Sequence, residues 1–261
     1  MRNCFGGPTQ LDSQSVPDNT TDPAGVTELI AIPNDSSLIK ELPRLKRFLK
    51  MESARLQGWH RDGGGGREVC LGRSWMLDTL LRELFDWTLA TFEQPGNARK
   101  LQVALIAIGG YGRAELNPHS DVDIMLLHSG SMPSVNRIFT HPLLEKLTSA
   151  GGLIYTLYDL GLKVGHSVRN IQDAVNVAND DMQTKTSLIE SRLITGDAGL
   201  FEEFRQQLEA RCIRNHVDNY LQMRIGDQDA RRVKFGNSAL LQEPNIKNGC
   251  GGLRDYQNLL W

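Results

Sequence analysis

The sequence predicts an α/β (α+β) fold, a small sheet flanked by N- and C-terminal helices. Three observations predict it. Val103 to Ile108 is an apolar run with β-branched members, ended at once by Gly109-Gly110, the pattern of a short buried strand. Asp121 to Leu127 forms a second such run, polar at its start and apolar at its end. On both sides lie long stretches whose apolar residues recur at helical spacing.

Composition narrows the class. A chain of 261 residues makes one large or two small domains. With 29 Lys and Arg against 31 Asp and Glu, charge gives no argument for nucleic acid or a membrane surface. No apolar run approaches the ~20 residues of a membrane helix. The start of the chain carries no apolar signal segment. Cys4, Cys70, Cys212 and Cys250 are scattered without metal-finger or redox spacing, so a reduced, cytoplasmic setting is expected.

The elements follow in order. Residues 1–35 are rich in Pro, Gly, Ser, Thr, Asn and Asp and are expected to form a disordered tail. Residues 36–95 are expected to form a helical segment. Its first helix, Ser36 to Gln57, is capped by Ser36 or Ser37. Its second, Glu68 to Phe92, carries the stripe Leu77, Leu80, Leu81, Leu84, Phe85 and Leu89. Gly63 to Gly66 joins them and lacks the lysine and hydroxyl of a phosphate loop. Pro95-Gly96-Asn97 closes the second helix. Residues 96–170 form the core. After its second strand come a turn from Ser129 to Ser134 and a helix from Pro142 to Asp159, weakened at Gly151-Gly152 and ended by Gly161. A strand from Leu162 to Val168 follows. Residues 171–261 are expected to be helical: Ile171 to Asp181, Met182 to Ile194, and a long helix from Leu200 to Gly226 with a Phe201, Phe204, Leu208, Ile213, Val217, Tyr220 and Leu221 stripe. They end in a glycine-rich loop and an apolar helix from Tyr256 to Trp261. Arg231, Arg232 and Lys234 form a basic cluster without interleaved aromatics, weak ground for nucleic acid.

The chemistry concentrates between Ile108 and Leu127, IGGYGRAELNPHSDVDIMLL. Gly109-Gly110 lets the backbone turn sharply and approach a ligand. Tyr111 to Leu116 is expected to form a short helix whose start seats phosphate. On a strand, alternate residues share a face, so Asp121 and Asp123 point together. Paired carboxylates repel unless a cation lies between them, and Mg²⁺ takes carboxylates together with substrate phosphates. A phosphate cradle beside an acidic pair is the apparatus of nucleotidyl transfer, with metals roughly 3.5–4 Å apart. Arg113 is placed either on a triphosphate oxygen or in an ion pair with Glu115 or another nearby carboxylate.

This stretch resembles the signature of the DNA polymerase β-like nucleotidyltransferases. GGYGRAEL with SDVDIMLL resembles more closely the N-terminal catalytic domain of the protein-PII uridylyltransferases, the bifunctional uridylyltransferase/uridylyl-removing enzymes. LGLKVGHSVR (Leu160 to Arg169) and EPNIKNGCGGLRD (Glu243 to Asp255) extend the resemblance, which runs from about Ser36 to the end. It implies a polymerase β-like core with a small mixed sheet. It also implies Mg²⁺-dependent transfer of UMP from UTP to a tyrosine of the PII signal protein. Asp121 and Asp123 are the expected catalytic and metal-binding residues. Gly109, Gly110, Arg113, Ser120, His166, Arg169, Lys247 and Arg254 are the expected nucleotide- or phosphate-binding residues, and Asn245 is a further candidate there.

The chain departs from the family pattern in places. The family usually has glycine at Ala114 and proline at Cys250. The superfamily's third carboxylate usually comes from the strand that here reads LKVGHSVR, which holds none; Asp159, Asp181 and Glu190 stay open as sources. The resemblance further implies an HD hydrolase domain and two ACT domains downstream, so the chain is expected to be a truncated form. Asp-x-Asp does not choose a base. Another nucleotide or acceptor, or a silent nucleotide- or partner-binding module, fits the same residues.

Overall fold

Four strands make the sheet on which the helices pack: β1 (Val103–Ala107), β2 (Val122–His128), β3 (Val164–Arg169) and β4 (Arg192–Gly196). The computed structural model describes residues 29–93, 101–130, 141–214 and 216–261. The strand order is β3-β2-β1-β4. β1 is antiparallel to β2 and β4, while β2 runs parallel to β3, so the sheet is small and mixed. Every residue of β1 is buried, which explains its unbroken apolar run: both faces of the strand are covered.

The helices are α1 (Leu38–Arg61), α2 (Gly66–Ala90), α3 (Gly109–Gly112), α4 (Pro142–Thr148) and α5 (Leu153–Asp159), then α6 (Ile171–Asp180), α7 (Met182–Ile189), α8 (Ala198–Leu208), α9 (Val217–Phe235) and α10 (Leu253–Asn258). One sheet face, with Leu105, Ile124 and Leu126, packs on α1, α2, α4 and α5 through residues such as Leu45, Leu81, Phe85 and Leu157. The other face, with Ala104, Ile106, Met125 and Leu127, packs on α6, α7 and α8 through Val175, Leu188 and Phe204. Alternation along β2 thus feeds two cores and leaves its polar first residues at the open end. Among the described residues, no helix is long and apolar enough to cross a membrane.

Several elements differ from expectation. Residues 29–35 are packed rather than tail-like. Ile30 is fully buried, and Arg44 Nη2 and Trp87 Nε1 donate to Ala31 O (2.8 Å) and Pro33 O (3.1 Å). Residues 1–28 lie outside the described residues, as do Pro95-Gly96-Asn97 and 131–134 of the expected turn. α1 runs on to Arg61. Ser37 precedes it without a side-chain cap bond, and Ser36 Oγ instead donates to Glu41 at 2.6 Å. Leu89 is 37% exposed and leaves the α2 stripe. The segment from Pro142 breaks into α4 and α5 because Gly151 sits at φ +77° and a Cβ on Gly152 would lie 2.0 Å from Lys146 O.

The expected helix to Ile194 stops at Ile189, and β4 takes its last residues. Arg192 to Gly196 is short, carries β-branched Ile194 and Thr195, and finds the free edge of β1. A short apolar run of this kind has no periodicity that separates helix from strand. The long helix also divides. α8 ends in a π-helical turn, Glu209–Ile213, before α9 begins. Of the expected stripe on this helix, Tyr220 is buried, while Val217 and Leu221 are 46% and 48% exposed.

The short helix expected at Tyr111 to Leu116 lies earlier, at Gly109–Gly112. Ala114, expected to sit comfortably in that helix, has φ +59°. A left-handed alanine costs about 1–2 kcal/mol. Ala114→Gly should therefore raise stability by about 0.5–1 kcal/mol after the larger unfolded-state entropy of glycine is counted. Urea denaturation measures this, and an unchanged or lowered midpoint would contradict the strain.

Candidate active site

The site begins where β1 ends. Gly109 adopts φ +58°, and the chain turns there into α3. A Cβ on Gly109 would stand 4.0 Å from Asp123 Oδ2 and 3.7 Å from Ser187 Oγ, so the turn lies beside the acidic strand and α7. Gly112 is fixed more tightly: a Cβ there would come within 2.0 Å of Glu190 O, a backbone atom.

A buried cluster holds this turn in place. The Tyr111 hydroxyl donates to Asp78 Oδ1 at 2.7 Å. Arg192 donates to both oxygens of Asp78, at 2.7 and 3.0 Å. The same guanidinium reaches Tyr111 O and Gly112 O, each at 3.3 Å. Burial, followed by the neighbouring Asp78 charge, pushes the Tyr111 phenol well above its usual range. Asp78 comes from α2 and Arg192 from β4, so three elements meet on the turn.

Asp121 and Asp123 are both solvent-exposed, while Val122 and Ile124 between and beyond them are buried. Alternation places them as the sequence predicts. The Asp123 carboxyl is raised above its ordinary value, first by burial and then by the charge of Asp121, with Lys247 acting the other way. Across the parallel ladder, Asp123 pairs with Gly165 on β3. A Cβ on Gly165 would lie 2.3 Å from Asp123 Oδ1. The carboxylate therefore lies over the bare glycine.

These residues open onto a cavity of about 670 Å³. Gly109, Gly110, Arg113, Ser120, Asp121, Asp123, Lys247 and Arg254 all line it. His166 and Arg169 do not. The exposed ring of His166 lies with Nδ1 3.1 Å from the Tyr158 hydroxyl. Arg169 ends β3, where its charge acts on Asp181. Asn245 also stays off the wall: its Oδ1 accepts from Lys247 N (3.1 Å) and Asn248 N (2.8 Å), and this turn sets the approach of Lys247.

Arg113 forms ion pairs on the cavity wall, with Glu115 at 3.0 Å and with Glu190. Glu190 also accepts from Trp261 Nε1. Of the three possible extra acids, Glu190 lines the cavity but is committed to Arg113. Asp181 caps α7 by accepting from Thr184 N at 2.7 Å, and Asp159 is exposed at the end of α5. Among the described residues, no group of three or more His, Cys, Asp or Glu side chains is placed to hold a metal. Asp121 and Asp123 remain as a two-carboxylate set of hard oxygen donors whose mutual repulsion a cation relieves. This fits Mg²⁺, which uses one or two carboxylates plus substrate phosphates.

One wall was not foreseen as part of the site. Arg224, Asp227, Arg231 and Lys234 of α9 line the cavity, with Trp261 stacked against Arg224 (4.2 Å) and Arg254 (5.3 Å). The signal was present: Tyr220, Arg224, Asp227, Arg231 and Lys234 recur at helical spacing. Tyr220 belongs to this inward face as well as to the expected apolar stripe, whereas Val217 and Leu221 of that stripe are exposed.

The fold and this site define a nucleotidyltransferase-type core. Residues 219–261 match the family described as GlnD PII-uridylyltransferase, and residues 10–142 match glutamate-ammonia ligase adenylyltransferase. A bifunctional uridylyltransferase/uridylyl-removing enzyme of Erythrobacter litoralis is 36% identical over 75% of this chain and 20% of its own. One of Rhodospirillum rubrum is 34% identical over 77% of this chain and 20% of its own. The chain is a nucleotidyltransferase of the uridylyltransferase type. It is similar to the bifunctional uridylyltransferase/uridylyl-removing enzymes over about three quarters of its length, and its first half matches the glutamate-ammonia ligase adenylyltransferase family. It spans about a fifth of the length of the curated relatives it matches.

Gly165→Ala should leave the fold intact, because the added methyl meets only the movable end of a side chain. It should displace the Asp123 carboxylate and slow nucleotidyl transfer by about ten- to a hundredfold. Melting temperature and transfer rate together test this; native rates would show that Asp123 does not need that seat.

Proposed function

We propose that this chain transfers UMP from UTP to a tyrosine hydroxyl of a PII signal protein, with release of pyrophosphate. What supports the reading is one juxtaposition: the Gly109-Gly110 turn, the Asp121 and Asp123 pair and a cationic wall share a single cavity. The uridylyltransferase names of the relatives support the choice of nucleotide, and the PII-uridylyltransferase match of residues 219–261 supports the choice of acceptor.

Asp121 and Asp123 would hold Mg²⁺, which supplies charge neutralisation on the phosphates. The glycine turn lets the triphosphate come close to the backbone. Arg113, Ser120, Lys247 and Arg254 bind and orient it from the surrounding wall. Arg113 exchanges its carboxylate partners for a phosphate oxygen, to which its planar fork is equally suited. The acceptor oxygen bonds the α-phosphorus as the bond to the bridging oxygen breaks. The bridging electron pair leaves with pyrophosphate, and the hydroxyl proton passes to water. Catalysis rests on in-line positioning and fixed charge, with no covalent intermediate on the protein.

The match of residues 10–142 to an adenylyltransferase family favours a second reading, transfer of AMP. Incubation with radiolabelled UTP, Mg²⁺ and purified PII protein should label PII, and the Asp121→Asn/Asp123→Asn variant should lose at least about a hundredfold in rate. Label from ATP in preference to UTP would move the assignment to adenylyl transfer. Binding of UTP without any transfer would make the chain a silent nucleotide-binding module.

A further inference from the structure

Among the described residues, three guanidinium donors on α9 are buried without an acceptor, and two of them, Arg224 Nε and Arg231 Nη2, belong to residues that line the cavity. Their side chains are only 11% and 12% exposed, yet both residues line the cavity. Other nitrogens of the same two guanidinium groups have partners. Arg224 bonds Asn258 Oδ1 and lies 4.0 Å from Asp227. Arg231 bonds Asp227 at 3.1 Å and Asp255 at 3.3 Å. These contacts hold each guanidinium in place and leave the Arg224 Nε–H and the Arg231 Nη2 amino group unmet. Buried donors are rarely left so, and a site of this kind calls for an acceptor that arrives from outside.

The neighbours indicate the charge of that acceptor. Lys234 lines the cavity one turn further along α9, and Arg254 enters from α10. Arg113, Arg224, Arg231, Lys234 and Arg254 share the cavity wall with Glu190 and Asp227, and burial, with the charges of Arg113 and Arg231 acting against that of Glu190, holds the Arg254 guanidinium below its ordinary value. Arg224 is also lowered, chiefly by burial. Several planar forks and an ammonium crowded on one wall suit a polyanion with several oxygens, the chemistry of a polyphosphate.

We infer that Arg224, Arg231, Lys234 and Arg254 form the subsite for the β- and γ-phosphates of the nucleoside triphosphate, and that they retain pyrophosphate once the α-phosphorus has been transferred. This rests on the nucleotidyl-transfer reading of the same cavity and extends it to the leaving group. The core strands carry the acids and α9 carries the pyrophosphate. Asp227 and Asp255 are positioning residues that hold the arginines.

The test is calorimetric binding of inorganic pyrophosphate, UTP, ATP and UMP to the full chain with Mg²⁺. Arg231→Gln should weaken pyrophosphate and UTP about tenfold or more, and UMP little, because UMP lacks the two phosphates concerned. Lys234→Ala is the variant safe for the fold, since Lys234 is exposed and forms no ion pair among the described residues. It should weaken the same two ligands about threefold, with an unchanged melting temperature. Failure of the native chain to bind pyrophosphate would overturn the subsite. So would equal losses for UMP and UTP, or native pyrophosphate binding in both variants. Pyrophosphate binding as expected, with ATP bound far more tightly than UTP, would uphold the subsite while rejecting the uridylyl reading. Tight UTP binding untouched by either variant would reject the subsite alone.

Discussion

The Asp78 carboxylate is the tie on which the site depends. It accepts from the Tyr111 hydroxyl and from two nitrogens of Arg192, and Arg192 in turn holds the carbonyls of Tyr111 and Gly112. The contacts draw α2 and β4 onto α3, a four-residue turn too short to fix itself. Asp78 is nearly buried and pairs with Arg192 at 2.7 Å and, more distantly, with Arg82 at 3.7 Å, so removal of Arg192 would leave a buried carboxylate with only the weaker of its two cations. With the turn fixed, the place of Gly109 beside Asp123 follows, and so does the edge of the cavity.

The cavity itself is a balance of charge. Asp123, whose ionisation is made costlier by burial and by the charge of Asp121, faces with Asp121 a wall of arginine and lysine. Neither group is satisfied alone. A metal-bound triphosphate presents cation to the acids and anion to the bases, and so meets both. The carboxylate of Asp123 seated over Gly165 also gives a steric reason for the bare strand: a side chain at that position would displace the acid already there.

Much of this was legible in the sequence where local chemistry decides. Gly109-Gly110 announced a turn, and the two-residue period of Asp121 to Leu127 placed both acids on one face. Gly151-Gly152 marked a break that the backbone requires. Legibility ended where tertiary partners decide. Arg192 to Gly196 became a strand because β1 had a free edge, which no window of sequence reveals. Ile30 and Ile32 lie in a four-residue apolar run, Leu29 to Ile32, at the end of a polar, proline-containing stretch, and are buried because α1 and α2 offer them a surface. α9 carries its charged stripe inward because its neighbour is a cavity, and the rule that apolar stripes face inward fails there. The cluster of Asp78, Tyr111 and Arg192 spans more than a hundred residues of chain and has no local signature.

The central claim is that the two aspartates and the bound triphosphate together make the metal site. Mn²⁺ binding, followed by electron paramagnetic resonance with and without UTP, tests it most directly. A two-carboxylate set predicts weak Mn²⁺ binding by the chain alone, strengthened at least about tenfold by UTP and lost in Asp123→Asn. Tight Mn²⁺ binding that ignores UTP, or that survives in Asp123→Asn, would contradict it.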